Sequence, residues 1–284
     1  MSKEDLDKRP NIPELLGKHG FFFEDACIES IKRNGKWLIE TVRYPVEYQT
    51  GINTEIDIIA ERAGQSVIFE CKREDRETKN WIFIRSKDIS LDKLVIRTYM
   101  GNLMGHDGKL KQWPNWQKSK WKITLNIDIF DSAFCIMPKK KGGNLQANPN
   151  PITDTCHQLI MGCCGLISER LSQMRKYMYG TIDTCYIPII ITTAKLSSFS
   201  YNVDNITLAD GKLSEDGQLK QEKWLIYRWY STLGILGDVL SSNFAGNSPK
   251  VIKDYHKVWD IIVVNSEHLL EFLENFCFEL PLIQ

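Results

Sequence analysis

The most informative segment of this chain reads Glu55-Ile56-Asp57-Ile58-Ile59-Ala60-Glu61-Arg62-Ala63-Gly64-Gln65-Ser66-Val67-Ile68-Phe69-Glu70-Cys71-Lys72. Two runs rich in apolar and β-branched residues, Ile56–Ala60 and Val67–Cys71, are typical of strands that are buried on both faces. Ala63-Gly64 between them predicts a tight turn, because glycine readily adopts the positive φ that such turns need. The segment is therefore predicted to form a β-hairpin.

This hairpin would bring two acidic side chains together. If the turn is tight, Arg62 faces Gln65, and counting back along both strands places Asp57 opposite Glu70. Cross-strand partners lie roughly 5 Å apart, and two carboxylates at that distance repel each other unless a positive charge lies between them. Because Mg²⁺ favours carboxylate oxygens, the pair predicts a divalent cation site. Side chains alternate along a strand, so Lys72 shares a face with Glu70.

An Asp, a short gap and then Glu-x-Lys resemble the signature of the PD-(D/E)XK nucleases. In that superfamily the two acids hold one or two Mg²⁺ (or Mn²⁺) ions, and the lysine positions or activates the attacking water. The resemblance implies that Asp57 and Glu70 are catalytic metal ligands and that Lys72 is the catalytic lysine. It also implies that the Cys71 carbonyl is a further metal ligand. The proline of the family name is absent, since Ile56 precedes the Asp, but the family keeps that position loosely.

The segment upstream adds a third acid. Residues 19–35 read as an amphipathic helix that Asn34-Gly35 ends. This helix resembles that of archaeal-type Holliday junction resolvases and Mrr-like restriction nucleases, in which a Glu lies eleven residues before the glycine that closes the helix. Glu24 and Gly35 have that spacing, so the resemblance implies that Glu24 completes the catalytic metal site. The alternative is a solvated first-turn residue that stabilises the helix dipole.

Further elements suit an α/β, restriction-endonuclease-like αβββαβ core, a mixed sheet flanked by helices. A strand over Trp37–Tyr48 and a loop over residues 50–53 precede the hairpin. Pro151–Tyr177 is predicted to be a long helix with Asp154 as its cap. Several resolvase-like nucleases carry a Gln on this helix that points at the site. Gln158 is the auxiliary residue that its position suggests here, and a surface amide is the alternative.

The last third of the chain predicts an extension of the same sheet. Cys185–Thr193 reads as a buried strand in which Pro188 indicates an edge or a bulge. Val203–Leu208 and Trp224–Tyr230 suggest further strands around an Asp-Gly turn. Another buried strand is predicted over Val258–Val264, and a terminal helix is predicted from a Ser266 cap to about residue 276. We interpret residues 1–284 as one nuclease-like domain. Its core covers about 19–98 and 131–195, with a basic, Trp-containing insertion at about 99–130 and a C-terminal β/α extension at about 196–284.

Clusters of basic residues point to nucleic acid although the formal net charge is zero. Residues 106–122 contain five Lys, three Trp and a single acid. Cations can follow a phosphate backbone, and aromatic faces can stack on exposed bases. The alternative is that the Trp residues pack the insertion onto the core while the Lys residues keep it soluble. The residues predicted to bind nucleic acid are Arg73, Arg76, Lys79, Lys109, Lys111 and Lys118.

Composition is that of an ordinary globular protein, with 43% hydrophobic and 25% charged residues. No apolar run has the length of a membrane span and the N-terminus lacks the shape of a signal peptide, so a cytoplasmic protein with no membrane partner is expected. Eight cysteines show no C-x-x-C pair and no zinc spacing, which favours reduced core thiols.

The resemblance implies a Mg²⁺-dependent endodeoxyribonuclease, a hydrolase of DNA phosphodiester bonds. DNA is favoured over RNA because the nearest-looking relatives cut DNA, and by analogy the biological role would be restriction or anti-phage defence. The alternative is a non-catalytic nucleic-acid-binding or sensor protein on a nuclease scaffold. Homo-oligomerisation, a defence-system partner and an activating ligand are left open.

Overall fold

The chain forms an α/β structure with two mixed β-sheets. A computed structural model describes residues 20–49, 51–62, 65–74, 80–85, 97–102, 122–123, 127–138, 145–177, 181–214, 217–230, 258–276 and 278–279. The α-helices among these residues are α1 (Phe21–Asn34), α2 (Asn150–Tyr177) and α3 (Leu269–Asn275). None of the described helices is long and apolar enough to cross a membrane.

The strands are numbered in chain order, and most of them belong to one of the two sheets. The eight-stranded main sheet contains β1 (Leu38–Gln49), β2 (Ile52–Arg62), β3 (Gln65–Lys72), β5 (Arg97–Asn102), β7 (Ile129–Phe130), β10 (Thr181–Thr192), β13 (Trp224–Tyr230) and β14 (Val258–Asn265). The five-stranded second sheet contains β4 (Asn80–Ile84), β8 (Ser132–Pro138), β9 (Leu145–Asn148), β11 (Lys195–Ser200) and β12 (Gln218–Glu222). A separate pair is formed by β6 (Lys122–Ile123) and β15 (Phe278–Glu279).

The predicted hairpin is present in the predicted register. β2 and β3 pair antiparallel, with Arg62 facing Gln65 and Ile58 facing Phe69. β1 pairs antiparallel with β2, so that three successive strands are neighbours in the main sheet. The predicted loop over residues 50–53 is shorter than expected, because Ile52 already belongs to β2 and Gly51, with φ 77°, makes the turn.

α2 leads into β10, which lies parallel to β3 with Ile190 beside Glu70. The prediction that Pro188 marks an edge or a bulge is wrong, since β10 lies inside the main sheet. Over residues 181–186 the second neighbour of β10 is β5, and over residues 189–192 it is β14. Pro188 lies between these two pairings, where neither partner requires the N–H donor that proline lacks.

The two faces of the main sheet are covered by different helices. The predicted apolar stripe of α2, including Leu159 and Cys163, is buried against one face together with Trp81 of the second sheet. α1 and α3 cover the other face through residues such as Ile31 and Phe272. Asp154 is not the cap of α2, because the helix starts one turn earlier at residue 150 and leaves that carboxylate inside the first turns.

The C-terminal region differs from prediction in two respects. β13 and β14 extend the main sheet as expected, whereas β11 and β12 pair within the second sheet. Val203–Leu208 is not a strand, because a short 3₁₀ turn and a single bridge from Ile206 to Leu213 occupy this region. Ser266 does not cap the last helix; the side chain of Asn265 accepts a hydrogen bond from the N–H of Glu267 at the start of a 3₁₀ turn.

Candidate active site

Two acidic residues of the hairpin are buried side by side. Asp57 on β2 is 8% exposed and Glu70 on β3 is 5% exposed. Regular pairing between β2 and β3 ends at Ile58 and Phe69, but the charge of Asp57 still raises the pKa of Glu70, so the two carboxylates lie within electrostatic reach of each other. The structure therefore brings together the two carboxylates that the sequence pattern paired.

A backbone hydrogen bond fixes one of these carboxylates. The N–H of Cys71 donates to Oδ2 of Asp57 at 2.6 Å. The thiol of Cys71 forms a second hydrogen bond, with the thiol of Cys27 on α1. This thiol–thiol hydrogen bond, together with burial, raises the pKa of the Cys71 thiol. The strand that carries Glu70 is thus tied both to β2 and to the first helix.

Both acids lack sufficient positive charge nearby. The pKa of Asp57 is raised to about 7, first by burial and then by the charges of Glu24 and Glu55, against the opposing effects of the Cys71 N–H and the charge of Arg43. Burial also raises the pKa of Glu70 well above its ordinary value, with the charge of Asp57 as the next cause. A bound cation would relieve this repulsion, and the donor set of hard carboxylate oxygens suits Mg²⁺ or Mn²⁺.

Lys72 lies two residues beyond Glu70 on β3 and is half-buried. The charge of Lys72 lowers the pKa of Glu70, which places the ammonium within electrostatic reach of that carboxylate. The Lys72 carbonyl accepts a hydrogen bond from the N–H of Thr193 at 3.2 Å, so the end of β3 is held by the segment after β10. Lys72 forms no ion pair with any residue that the structure describes.

Glu24 approaches the two acids but has another partner. Its side chain is 15% exposed, and Oε2 accepts a hydrogen bond from Nε of Arg43 at 3.0 Å. The charge of Glu24 raises the pKa of both Asp57 and Glu70. Within the described part of the chain, no group of three or more His, Cys, Asp or Glu residues is arranged to hold a metal ion. The resemblance-based role of Glu24 as third ligand would require this side chain to leave Arg43.

Sequence reasoning missed two residues of this site. Glu55 could have been found, because it lies two positions before Asp57 on the same strand and side chains alternate in a strand. Arg43 lies on β1 and contacts α1, and nothing in the local pattern of β1 indicated that contact.

The auxiliary residue and the nucleic-acid-binding residues predicted from the sequence lie on α2, directly after β3 or outside the described residues. Gln158 is exposed on α2, whereas Cys156, two residues earlier, is buried and has its pKa raised by burial and by the charge of Glu70. Arg73 follows Lys72 directly and is exposed. The predicted nucleic-acid-binding residues outside the described residues are Arg76, Lys79, Lys109, Lys111 and Lys118.

No protein-family model, no curated protein and no solved structure matches this chain. What the site can do is therefore inferred from its own charge, burial and geometry.

Proposed function

We propose that the protein is a divalent-metal-dependent nuclease that hydrolyses phosphodiester bonds of DNA. One observation carries the proposal: Asp57 and Glu70 are buried on neighbouring strands with raised pKa values, the charge of Asp57 acts on Glu70, and Lys72 follows on the strand of Glu70. Two buried carboxylates without a compensating cation are costly for folding, and such arrangements concentrate at functional sites.

The metal would be Mg²⁺ or Mn²⁺, held by Asp57 and Glu70. The Cys71 carbonyl and Glu24 are the further ligands that the resemblance to the PD-(D/E)XK nucleases suggests. When bound, the metal would polarise the scissile phosphate and lower the pKa of a bound water.

The protein's own residues would supply orientation and charge. The Cys71 N–H holds one oxygen of Asp57, which leaves the other oxygen available as a ligand. Lys72, whose charge reaches Glu70, would orient the attacking water and offset the negative charge that develops on the phosphate. Burial around Glu70 keeps bulk water away and strengthens each of these interactions.

The arrangement of elements is compatible with the finer fold assignment. A helix, three antiparallel strands, a long helix and a strand parallel to the third one occur in this order, as in a restriction-endonuclease-like core. DNA as substrate and a role in restriction or anti-phage defence follow from the resemblance and are proposed on that ground.

A cleavage assay tests the proposal. Supercoiled plasmid, linear duplex and branched DNA would be incubated with Mg²⁺, Mn²⁺ or EDTA, using wild-type protein and Asp57→Asn. We expect at least one substrate to be cut by the wild type with metal, and none to be cut in EDTA or by the variant. Absence of cleavage of every substrate, or cleavage that persists in EDTA, contradicts the proposal.

The ion pair between Glu24 and Arg43 favours a second candidate, a nucleic-acid-binding or sensor protein that does not cut. In that protein the arginine would permanently occupy the carboxylate that a metal needs. Such a protein would retain DNA in EDTA in a gel-shift assay and would show no cleavage product with either metal.

A further inference from the structure

Arg43 has an unusual backbone conformation at a position beside the acids. Val42 on β1 faces Ile58 on β2, so the next residue, Arg43, faces Asp57. Among the residues that the structure describes, Arg43 is the one non-glycine residue with a positive φ, 48°. L-residues rarely adopt this conformation, and it persists only where the surrounding structure imposes it.

The regular alternation of side chains between the two faces of the sheet is interrupted at this position. Residues two apart in a strand normally share a face, yet Ile56 packs in the core on the α2 side and Ile58 packs in the core on the α1 side. The change falls at Asp57 and at Arg43 opposite it. Here the Asp57 carboxylate, rather than a backbone carbonyl, accepts the hydrogen bond from the Cys71 N–H. The irregular backbone at Arg43, which we call the kink in β1, therefore lies opposite Asp57, a candidate metal ligand.

The guanidinium of Arg43 joins this kink to α1. Its Nε donates to Glu24 at 3.0 Å, and its Nη2 donates to Oδ1 of Asp25 at 2.9 Å. The same group lies 5.4 Å from the centre of the Phe21 ring, a cation–π distance. The charge of Arg43 also lowers the pKa of Asp57, against the raising effect of burial. Arg43 thus acts on Asp57 as Lys72 acts on Glu70, and it also pairs with Glu24.

We propose that Arg43 is a positioning residue that holds Glu24 in the metal-free protein, so that a divalent cation must displace the guanidinium to gain Glu24 as a ligand. This inference rests on the proposed metal-dependent function. Arg43 and the metal would be alternative partners for Glu24. With Oε2 of Glu24 bonded to Arg43, no group of three or more His, Cys, Asp or Glu residues is arranged to hold a metal ion among the described residues, so Glu24 would have to turn toward Asp57 and Glu70, which breaks the ion pair. Arg43 thereby sets the metal concentration at which the site fills.

A double-mutant cycle on metal binding tests this exchange without an activity assay. Mn²⁺ would be titrated by calorimetry into wild type, Arg43→Gln, Glu24→Gln and the combined variant. We expect Arg43→Gln to bind Mn²⁺ roughly 3- to 10-fold more tightly, as removal of a competing, partly exposed ion pair should allow. We expect Glu24→Gln and the combined variant to bind Mn²⁺ with equal affinity, because without the Glu24 carboxylate Arg43 no longer competes with the metal for a ligand.

Three further variants separate this role from backbone strain and from general charge. Arg43→Gly keeps the left-handed conformation without strain and should show the same gain in affinity as Arg43→Gln. Arg43→Lys retains the charge and should remain near wild type. Asp25→Asn removes the second, more exposed partner and should also change Mn²⁺ affinity little.

The outcomes distinguish the two proposals. Unchanged or weaker Mn²⁺ binding by both Arg43→Gln and Arg43→Gly, while wild type binds and Asp57→Asn does not, overturns the Arg43 exchange alone. A gain that persists in the combined variant also overturns it, because the effect would then act through space and not through Glu24. Absence of Mn²⁺ binding by wild type overturns both the exchange and the metal-dependent function.

Discussion

The backbone N–H of Cys71 donates a 2.6 Å hydrogen bond to Oδ2 of Asp57. Regular pairing between the strands ends just before this point, at Ile58 and Phe69. The Asp57 side chain therefore takes the place of a backbone acceptor and is tied to the strand that carries Glu70 and Lys72. This hydrogen bond joins the strand of Asp57 to the strand of Glu70 and Lys72, and it forms without a bound metal or substrate.

Replacing either buried acid should abolish cleavage and stabilise the metal-free protein. Asp57→Asn keeps an oxygen that can accept from Cys71, and Glu70→Gln keeps the shape of its side chain. Each removes a charge that is unfavourable in its buried site. We expect the melting temperature in EDTA at pH 8 to rise by a few degrees, as measured by calorimetry. Glu29→Gln, at an exposed acid of α1 that pairs with Lys32, is the matched control and should change the melting temperature little. Wild-type cleavage by Asp57→Asn would eliminate this site as the catalytic one.

Stability of the metal-free protein should fall as the pH rises from about 4 to about 7. The pKa of Asp57 is raised, chiefly by burial, to about 7 in the folded protein from its ordinary value of 3.8. In that window the unfolded chain releases a proton that the folded chain retains, so the free energy of unfolding decreases with pH. For this one group the upper bound is on the order of 4 kcal/mol. Urea unfolding in EDTA between pH 4.5 and 7.5 should show a shallower decrease for Asp57→Asn. Parallel curves for wild type and variant would show that Asp57 is not the group responsible.

Lys72→Ala should lose turnover and keep metal binding. The lysine is not a ligand in the proposed site, and its charge acts on Glu70 and on the phosphate. Calorimetry with Mn²⁺ should therefore give an affinity within a few-fold of wild type, while cleavage falls by roughly 10² or more. Lys212→Ala, at an exposed lysine that pairs with Asp210 in a distant turn, should leave both unchanged. Metal affinity that disappears in Lys72→Ala and persists in Asp57→Asn would reverse the assignment of these roles.

The basic segment of residues 106–122 should contribute to DNA affinity through phosphate contacts. Changing three of its lysines, Lys109, Lys111 and Lys118, to Ala should weaken binding and lower the slope of log affinity against log salt. Each phosphate contact that is lost should lower the slope by about 0.9 on duplex DNA. Cleavage at saturating DNA should persist, because the metal site is unchanged. An unaltered slope would assign this segment to packing or to a partner surface and would direct attention to the other basic residues Arg73, Arg76, Lys79 and the Lys139-Lys140-Lys141 run of the sequence.

The hairpin was predictable because its information is local. Only two residues separate Arg62 from Gln65, and side chains alternate along each strand from that point, so the pairing can be counted; the observed pairs from Arg62–Gln65 to Ile58–Phe69 agree with that count. The first helix was predictable for the same reason, since its apolar spacing and Gly35, with φ 67°, mark its face and its end.

Elements that depend on distant partners were predicted less well. Pro188 suggested an edge strand, but its tolerance in the sheet interior follows from where β5 ends and β14 begins beside β10. The second sheet forms because β4 and β11, far apart in sequence, pair in parallel. Hydrophobic patterning identifies a strand without naming its neighbours, so this distribution between two sheets had no signal in the sequence.

The spacing of Asp57, Glu70 and Lys72 along two adjacent strands was sufficient to predict that the charges of Asp57 and Lys72 act on Glu70. How those groups behave depends on residues that the chain brings in from elsewhere. Burial under α1 and α2 raises the pKa of both acids, and the Glu24–Arg43 ion pair joins the first helix to a kink in β1. Strand geometry acts over a few residues and can be counted along the sequence, whereas desolvation and charge act through space and exist only once the whole chain has folded.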